Sequence, residues 1–188
     1  MNTRVFVAGS IQIKHLDALV KARIDKIVGQ NFEVVVGDAD GVDASIQTYL
    51  NSLGIRNATV FCSGSRPRNN IGNWPVERVS SSHPKGSRAF FTAKDIRMAE
   101  LADYGLMIWD TKSTGTLNNV IELLSRSKKS IVFVNKDKVF KKIAGVEDLE
   151  DLLSFMPDHA RRKAEEKIGL SARIHSLRQE QLQMFAQA

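Results

Sequence analysis

The sequence predicts an α/β fold in which helices cover both faces of a parallel sheet. Segments typical of strands and of helices alternate along the first 135 of the 188 residues. The strand-like segments are short, continuous apolar runs, which are typical of parallel strands buried on both faces. After residue 135 the pattern is helical. We therefore predict a Rossmann-like three-layer parallel sheet with a helical C-terminal tail, divided into a domain over residues 1–137 and an extension over residues 138–188.

The strand predictions rest on runs of apolar and β-branched residues. The predicted strands cover residues 4–8, 32–36, 58–62, 106–109 and 130–134. A weaker run at residues 76–79 lies inside a loop of residues 63–85 that holds three of the four prolines. A loop of this length in a compact domain is usually functional or disordered. We expect no further strand after residue 135.

The helix predictions rest mainly on apolar residues at helical spacing, which place an apolar stripe against the sheet. The predicted helices cover residues 14–28, 42–53, 88–102, 115–125, 147–155, 158–168 and 171–185. The last helix is amphipathic. We expect it to pack on the core of the same chain, and a dimer interface or a contact with another partner is the alternative.

Composition excludes several classes of protein. Apolar residues make up 43% of the chain and charged residues 26%, which is ordinary for a folded domain and excludes a disordered chain. No apolar run approaches the roughly 20 residues that span a bilayer. Cys62 is the only cysteine, so no intramolecular disulfide forms. The first residues show no signal-peptide order, and we expect a cytoplasmic protein without membrane contact.

The positive charge is concentrated in one segment. The chain has a formal net charge of +6, and residues 63–97 hold seven basic residues against two acidic ones. A local cluster of arginine and lysine suits the phosphate of a nucleotide or of a nucleic-acid backbone. The alternative is a solvated loop with a chance surplus of charge.

Polar residues follow the first and second predicted strands. Open α/β sheets bind ligands outside the carboxyl ends of their strands. Gly9 lets a ligand approach the backbone, and Ser10 offers a hydroxyl. The loop after the second strand, G-D-A-D-G-V-D, leads into a helix whose N-terminus offers free N–H groups. Its candidate binding residues are Gly37, Asp38, Asp40 and Gly41.

Two further groups near this loop have alternative interpretations. Asp43 either caps the helix or joins the other two carboxylates in holding a ribose hydroxyl or Mg²⁺. Lys94 and Arg97 lie three residues apart on a predicted helix and share one face. They either contribute positive charge to a phosphate site or belong to a solvated helix surface.

The segment after the fourth strand, D-T-K-S-T-G-T-L-N-N, is rich in hydroxyl groups and opens a helix. Its hydroxyl and N–H groups suit a phosphate. It has neither the Walker A spacing nor the G-x-G-x-x-G spacing. Its candidate binding residues are Asp110, Ser113, Thr114, Gly115, Thr116 and Asn119.

Other residues carry less weight. The four histidines show no metal-ligand spacing, and we predict no metal and no cofactor. We expect Trp109 to fill the core. Asn69, Asn70 and Trp74 either contact a base or structure the long loop that contains them.

Four segments in this order resemble the SLOG superfamily of Rossmann-like domains. They are V-F-V-A-G-S, V-V-V-G-D-A-D-G-V-D, K-D-I-R-M-A-E-L-A-D-Y-G-L-M-I-W-D and S-T-G-T-L-N-N-V. The superfamily includes the DprA/Smf proteins, the LOG or lysine decarboxylase-like phosphoribohydrolases, and small YspA-like domains. The resemblance covers about residues 4–135. It implies a ligand built from a nucleotide, and because relatives are often dimers or tetramers, it implies a homo-oligomer.

The LOG enzymes cleave the N-glycosidic bond of nucleoside monophosphates, and their motif is P-G-G-x-G-T-x-x-E with an arginine in the preceding helix. Arg97 matches that arginine, and Gly115 and Thr116 match the G-T pair. Residues 110–113 replace the P-G-G stretch, and Asn119 stands where the catalytic glutamate would be. Asparagine cannot act as a general base. The candidate catalytic residues are therefore Arg97, Glu122 and Asp43, with Asp38 and Asp40 as further carboxylates.

Three functions are compatible with these observations. The favoured one is a sensor- or effector-type module that binds a nucleotide or nucleotide-derived ligand at the carboxyl ends of the strands. The second is a LOG-like nucleoside 5'-monophosphate N-glycosidase, phosphoribohydrolase or transferase. The third is DprA-like binding of single-stranded nucleic acid, for which residues 66–97, with Trp74, Phe90 and Phe91, would supply phosphate contacts and stacking surfaces.

Overall fold

The computed structural model describes residues 2–186, and it describes side chains as far as residue 184. These residues form one sheet whose strands are β1 (Arg4–Gly9), β2 (Glu33–Gly37), β3 (Ala58–Ser63), β4 (Val76–Val79), β5 (Tyr104–Trp109), β6 (Lys129–Val134) and β7 (Val139–Ile143). The strand order is β4-β3-β2-β1-β5-β6-β7. The pairs among β1 to β6 are parallel, and β7 runs antiparallel to β6.

The helices alternate with the strands as far as β6 and then follow one another. They are α1 (Ala18–Gly29), α2 (Val42–Ser52), α3 (Arg88–Leu101), α4 (Thr114–Leu124), α5 (Val146–Leu153), α6 (Asp158–Ile168) and α7 (Leu170–Ala186). The prediction of a Rossmann-like three-layer α/β fold with a helical tail is confirmed. The first helix starts later than predicted because Asp17 is its N-cap and accepts a hydrogen bond from the N–H of Leu19.

The expectation that no strand follows residue 135 is wrong. A turn at residues 135–138 leads back into β7, whose Val139 lies opposite Val134 of β6. The sequence of β7, V-F-K-K-I, contains two lysines and so lacks the continuous apolar run of a central strand. Lysines are typical of edge strands, where they discourage pairing with another chain. The sheet therefore continues beyond residue 137.

The two faces of the sheet are covered unequally. Alternate residues of β1 show this, because Phe6 packs with the core of α3 to α7, and Val7 packs with the core of α1 and α2. Two helices thus cover one face of a seven-stranded sheet. On the other face α3, α4 and α5 pack against the strands, and α6 and α7 pack on α4 and α5. Within residues 2–186, no helix has the length and apolarity that crossing a membrane requires.

The strand order reverses between β1 and β5. From β1 the chain adds β2, β3 and β4 on one side, and it then returns to place β5 and β6 on the other side of β1. Gly9 at the end of β1 lies opposite Ile108 of β5. In open α/β sheets, ligands bind outside the carboxyl ends of the strands at such a reversal.

Candidate ligand site at the carboxyl ends of the strands

A hydrogen bond between side chains joins the ends of β1 and β5. The hydroxyl of Ser10 donates to the carboxylate of Asp110 at 2.6 Å. The other oxygen of Asp110 accepts from the N–H groups of Lys112 at 3.0 Å and of Ser113 at 2.6 Å. Ser10 is fully buried and Asp110 is partly exposed. Asp110 therefore ties the end of β1 to the turn that precedes α4.

That turn contains a strained residue. Thr111 is buried and has a φ of +67°, which is unfavourable for a β-branched side chain. Such conformations cost on the order of 1–3 kcal/mol and cluster at ligand sites. The two hydrogen bonds that Asp110 accepts from the backbone hold the turn in this conformation.

The start of α4 offers unsatisfied backbone donors beside open space. The hydroxyl of Ser113 caps the helix by accepting from the N–H of Thr116 at 3.2 Å. The N–H of Leu117 makes the first bond of the helical ladder, to the carbonyl of Ser113, so the N–H groups of Thr114 and Gly115 precede the ladder. A Cβ on Gly115 would meet only the Ser113 hydroxyl, at 3.9 Å.

Buried polar atoms without partners occur in the same helix. Within the part of the chain that the structure describes, Ser63 Oγ, Thr114 Oγ1 and Asn119 Oδ1 are buried and make no hydrogen bond. Most buried polar atoms in proteins are paired, so each of these atoms calls for an explanation. Thr114 lies in the first turn of α4, beside the free N–H groups. Ser63 is not among the residues predicted from the sequence, because its only signal is its place at the end of β3.

The start of α2 is closed, in contrast to the start of α4. The N–H of Val42 donates to the carbonyl of Ser10 at 3.2 Å. A Cβ on Gly41 would lie 2.4 Å from the Cα of Ile11, and Gly41 has a φ of +75°. A Cβ on Gly9 would lie 2.2 Å from the carbonyl oxygen of Ile108. These glycines therefore allow one backbone segment to pack against another.

A buried cluster of charges lies behind the end of β2. The ammonium of Lys94, on α3, is 2.7 Å from Asp95, 3.9 Å from Asp43 and 4.0 Å from Asp38. Lys94 is only 3% exposed. A Cβ on Gly37 would lie 2.3 Å from the Asp43 carboxylate and 2.5 Å from the Lys94 ammonium. The positive charge of Lys94 is thus compensated inside the protein.

The same cluster anchors the long loop before α3. Asp38 accepts from the Arg68 guanidinium at 2.7 and 3.1 Å and from the Arg68 backbone N–H at 2.9 Å. The Arg68 guanidinium also lies 4.5 Å from the centre of the Phe91 ring. The amide of Asn69 donates to the Asp38 carbonyl and to the Asp40 carboxylate. These contacts fix the loop against the end of β2.

Burial and charge shift the pKa values in this cluster in different directions. Burial raises the pKa of Asp43 to about 6, although Lys94 opposes the shift. Burial also acts against ionisation of Asp38, but the hydrogen bonds from Arg68 outweigh it and lower the pKa. The carboxylates around Lys94 likewise outweigh its burial and raise its pKa. Of these three groups, Asp43 is therefore the one whose pKa lies closest to neutral pH.

Arg97 and Glu122 each have oppositely charged partners. Arg97 donates to Glu77 at 3.0 Å and to Glu100 at 3.4 Å, so it and Lys94 do not share a site. Glu122 accepts from Arg126 and from Arg173, at 2.6 Å in each case. Burial opposes the charge of Glu122, but these guanidiniums lower its pKa.

The two tryptophans and Asn70 pack in the core or stabilise the long loop before α3. Trp109 is buried as predicted, and its indole N–H donates to the carbonyl of Ser113. Trp74 is buried and donates to the carbonyl of Ile55. Asn70 makes two hydrogen bonds with the backbone of Trp74. Asn70 and Trp74 therefore structure the loop that contains them.

No protein-family model matches the chain, and no curated protein matches its sequence. Among residues 2–186, no group of three or more histidine, cysteine, aspartate or glutamate side chains is arranged to hold a metal ion.

Proposed function

We propose that this chain binds a nucleotide or nucleotide-derived ligand at the carboxyl ends of its strands, as a sensor- or effector-type module. The observation that carries the proposal is the strained turn from Asp110 to Ser113. This turn lies where the strand order reverses, it is tied to Ser10 of β1, and it presents the open start of α4. Strain is retained where a ligand site requires a particular backbone conformation.

The phosphate of the ligand is assigned to the start of α4. The N–H groups of Thr114 and Gly115 and the positive end of the helix dipole favour an anion there. The unpaired hydroxyl of Thr114 lies in the same turn, and as a buried group it would have to become accessible before it could donate to the ligand. The open space next to Gly115 gives a phosphate access to these groups.

The remainder of the ligand is assigned to the edge between β5 and β2. The two strands are separated only by β1, so their ends lie about 10 Å apart. A nucleoside monophosphate can bridge that distance. Asp40, which is exposed in the loop after β2, is a suitable acceptor for a sugar hydroxyl.

Binding without hydrolysis is supported by the contacts of the candidate catalytic residues, which are either replaced or held in ion pairs. Asn119 occupies the position of the glutamate in the LOG motif. Glu122, which follows it by one helical turn, is held by two guanidiniums. Arg97 forms ion pairs with Glu77 and Glu100.

The basic segment offers less free charge for a nucleic acid than its composition indicates, because Arg68, Lys94 and Arg97 all pair with carboxylates.

One observation favours the N-glycosidase as a second candidate. A carboxyl group with a pKa of about 6, such as that of Asp43, suits general acid catalysis near neutral pH. This function requires Asp43, which is 5% exposed, to become accessible to the ligand. Incubation with nucleoside monophosphates, followed by chromatography, tests it. Release of free base by the native protein, and its loss in Asp43→Asn, would support hydrolysis; no release would exclude it.

A thermal-shift screen tests the binding proposal. The probes are nucleoside mono- and diphosphates and cyclic nucleotides, with inorganic phosphate and adenosine as controls. A ligand at 100 times its Kd raises the free energy of unfolding by about 2.7 kcal/mol. We expect at least one nucleotide to raise the Tm more than both controls do. The absence of any shift across the panel at millimolar concentration would contradict the proposal.

A further inference from the structure

A cavity of about 330 Å³ lies at the opposite end of the sheet from the site described above. It is formed at the amino ends of β1, β5 and β6 and beside the last turns of α1. Its apolar lining includes Val5, Leu106 and Ile131 of the sheet, Ile27 of α1, and Phe32. The volume falls at the lower end of the range for small-molecule sites.

The unequal covering of the sheet explains why the cavity exists. Only α1 and α2 cover this face, and β6 and β7 lie beyond β5, on the side of β1 away from β2 and β3. Phe140 of β7 is covered by the guanidinium of Arg23, 4.9 Å from the ring centre. Ile131 of β6 is only partly buried. The apolar surface at the cavity is therefore left open by the topology of the fold.

The charge around the cavity has one sign. Arg23, Lys26, Lys129 and Lys142 all line it, and no acidic residue does. Among the described residues, none of these four has a carboxylate within 4 Å. The three lysines are exposed. This contrasts with Lys94, whose charge is compensated by neighbouring carboxylates.

We propose that this cavity binds a small amphipathic anion. Its hydrocarbon or aromatic body lies on the apolar surface formed by the partly exposed side chains of Ile27 and Ile131. Its carboxylate, sulfonate or phosphate group is held by Lys26, Lys129 and Lys142. Charge complementarity selects the anion, because its charged group makes charge-assisted hydrogen bonds to the lysines that a neutral apolar ligand cannot make. The apolar lining and the limited volume select a small molecule rather than an extended polyanion, which requires a charged surface but no apolar cavity.

A fluorescence titration with 8-anilinonaphthalene-1-sulfonate, an aromatic sulfonate, tests the proposal, with decanoate as the competitor. The test variant is Lys26→Glu/Lys142→Glu, and the control is Lys136→Glu/Lys163→Glu. All four lysines are exposed, and both double variants change the net charge by the same amount. We expect decanoate to displace the probe and the test variant to raise the Kd by roughly tenfold or more, with the control unchanged.

Two more variants locate the binding site. Ile131→Trp fills the apolar floor without altering charge, and we expect it to remove probe binding. Gly115→Leu lies at the other end of the sheet, and we expect it to retain probe binding. Circular dichroism confirms that each variant is folded.

Three outcomes would overturn the proposal. The control variant weakens binding as much as the test variant does, or Gly115→Leu abolishes probe binding, or decanoate fails to compete. Sedimentation velocity tests whether a second copy of the chain occupies this surface instead of a small anion. That alternative is supported if three results occur together: the native chain self-associates, Lys26→Glu/Lys142→Glu disrupts the association, and neither the sulfonate probe nor decanoate binds.

Discussion

The hydroxyl of Ser10 and the carboxylate of Asp110 are joined at 2.6 Å across the position where the strand order reverses. Asp110 uses its other oxygen to hold the turn before α4. One carboxylate thus couples the end of β1 to the conformation of a helix start. The proposed phosphate site depends on this coupling, because the strained turn aims the first N–H groups of α4.

Asp110→Ala removes the acceptor for Ser10 and for two backbone N–H groups. We expect the free energy of unfolding to fall by about 1–3 kcal/mol, since a buried hydroxyl loses its partner and the strained turn loses its support. We also expect nucleotide binding to be lost. Urea unfolding and calorimetry measure the two effects. Asp137→Ala, in the exposed turn between β6 and β7, is the control, and an equal loss of stability there would contradict the account.

Lys94→Met removes the cation that Asp43 and Asp95 share, and it leaves Asp38 paired with Arg68 alone. We expect a loss of about 3–5 kcal/mol in the free energy of unfolding, as is typical when one partner of a buried charge cluster is removed. Arg97→Met, on the same helix, removes a partly exposed cation and should have a much smaller effect. Comparable losses in the two variants would show that Lys94 is not the structural centre of the cluster.

The pKa of Asp43 predicts a pH dependence of stability. Its value of about 6 in the folded protein exceeds the ordinary value of about 3.9, so the folded state binds this proton more tightly than the unfolded state does. The resulting stabilisation is present below pH 4 and is lost as the pH rises through 6.

Asp43→Asn removes that dependence. Relative to the native protein, the variant should gain about 2 kcal/mol in the free energy of unfolding between pH 4 and pH 7. Asp40→Asn, an exposed carboxylate in the same loop, controls for net charge. A difference between Asp43→Asn and the native protein that does not vary with pH would refute the assignment.

Glu122→Gln separates a structural role from a catalytic one. The carboxylate holds Arg126, in the turn after α4, and Arg173 of α7, so the change should lower the free energy of unfolding by about 1 kcal/mol. Nucleotide affinity should stay the same, because Glu122 is not part of the proposed site. If the protein releases base from a nucleotide and Glu122→Gln abolishes that release without loss of folded protein, then Glu122 is catalytic.

The fold was predictable because the central strands are apolar runs and because a helix follows each of β1, β2 and β5. The strand β7 was not, because its two lysines interrupt the apolar pattern. The residues at the strand ends could be identified from the sequence, but their burial and their charged partners could not. Lys94 and Arg97 look equivalent on a helix, and only the non-local approach of Asp38 and Asp43 makes one of them a buried cation.

The starts of α2 and α4 are a second case in which the sequence does not distinguish two positions that differ in the structure. Both follow a strand and both contain a glycine in a polar segment, so the sequence predicts two equivalent anion sites. In the structure, the backbone of Ile11 covers Gly41, and nothing covers Gly115 in the same way. That difference depends on how the loop after β1 folds back, which no local pattern encodes.

Calorimetric titration of Gly115→Leu with the nucleotide that gives the largest thermal shift tests directly whether the ligand binds at the start of α4. Gly115 has open space where a side chain would project, and so does Gly29 at the end of α1, which makes Gly29→Leu the matched control. We expect Gly115→Leu to fold with stability equal to or above that of the native protein and not to bind the nucleotide, and we expect Gly29→Leu to bind it normally. Native affinity in Gly115→Leu would contradict the placement of the ligand at the start of α4.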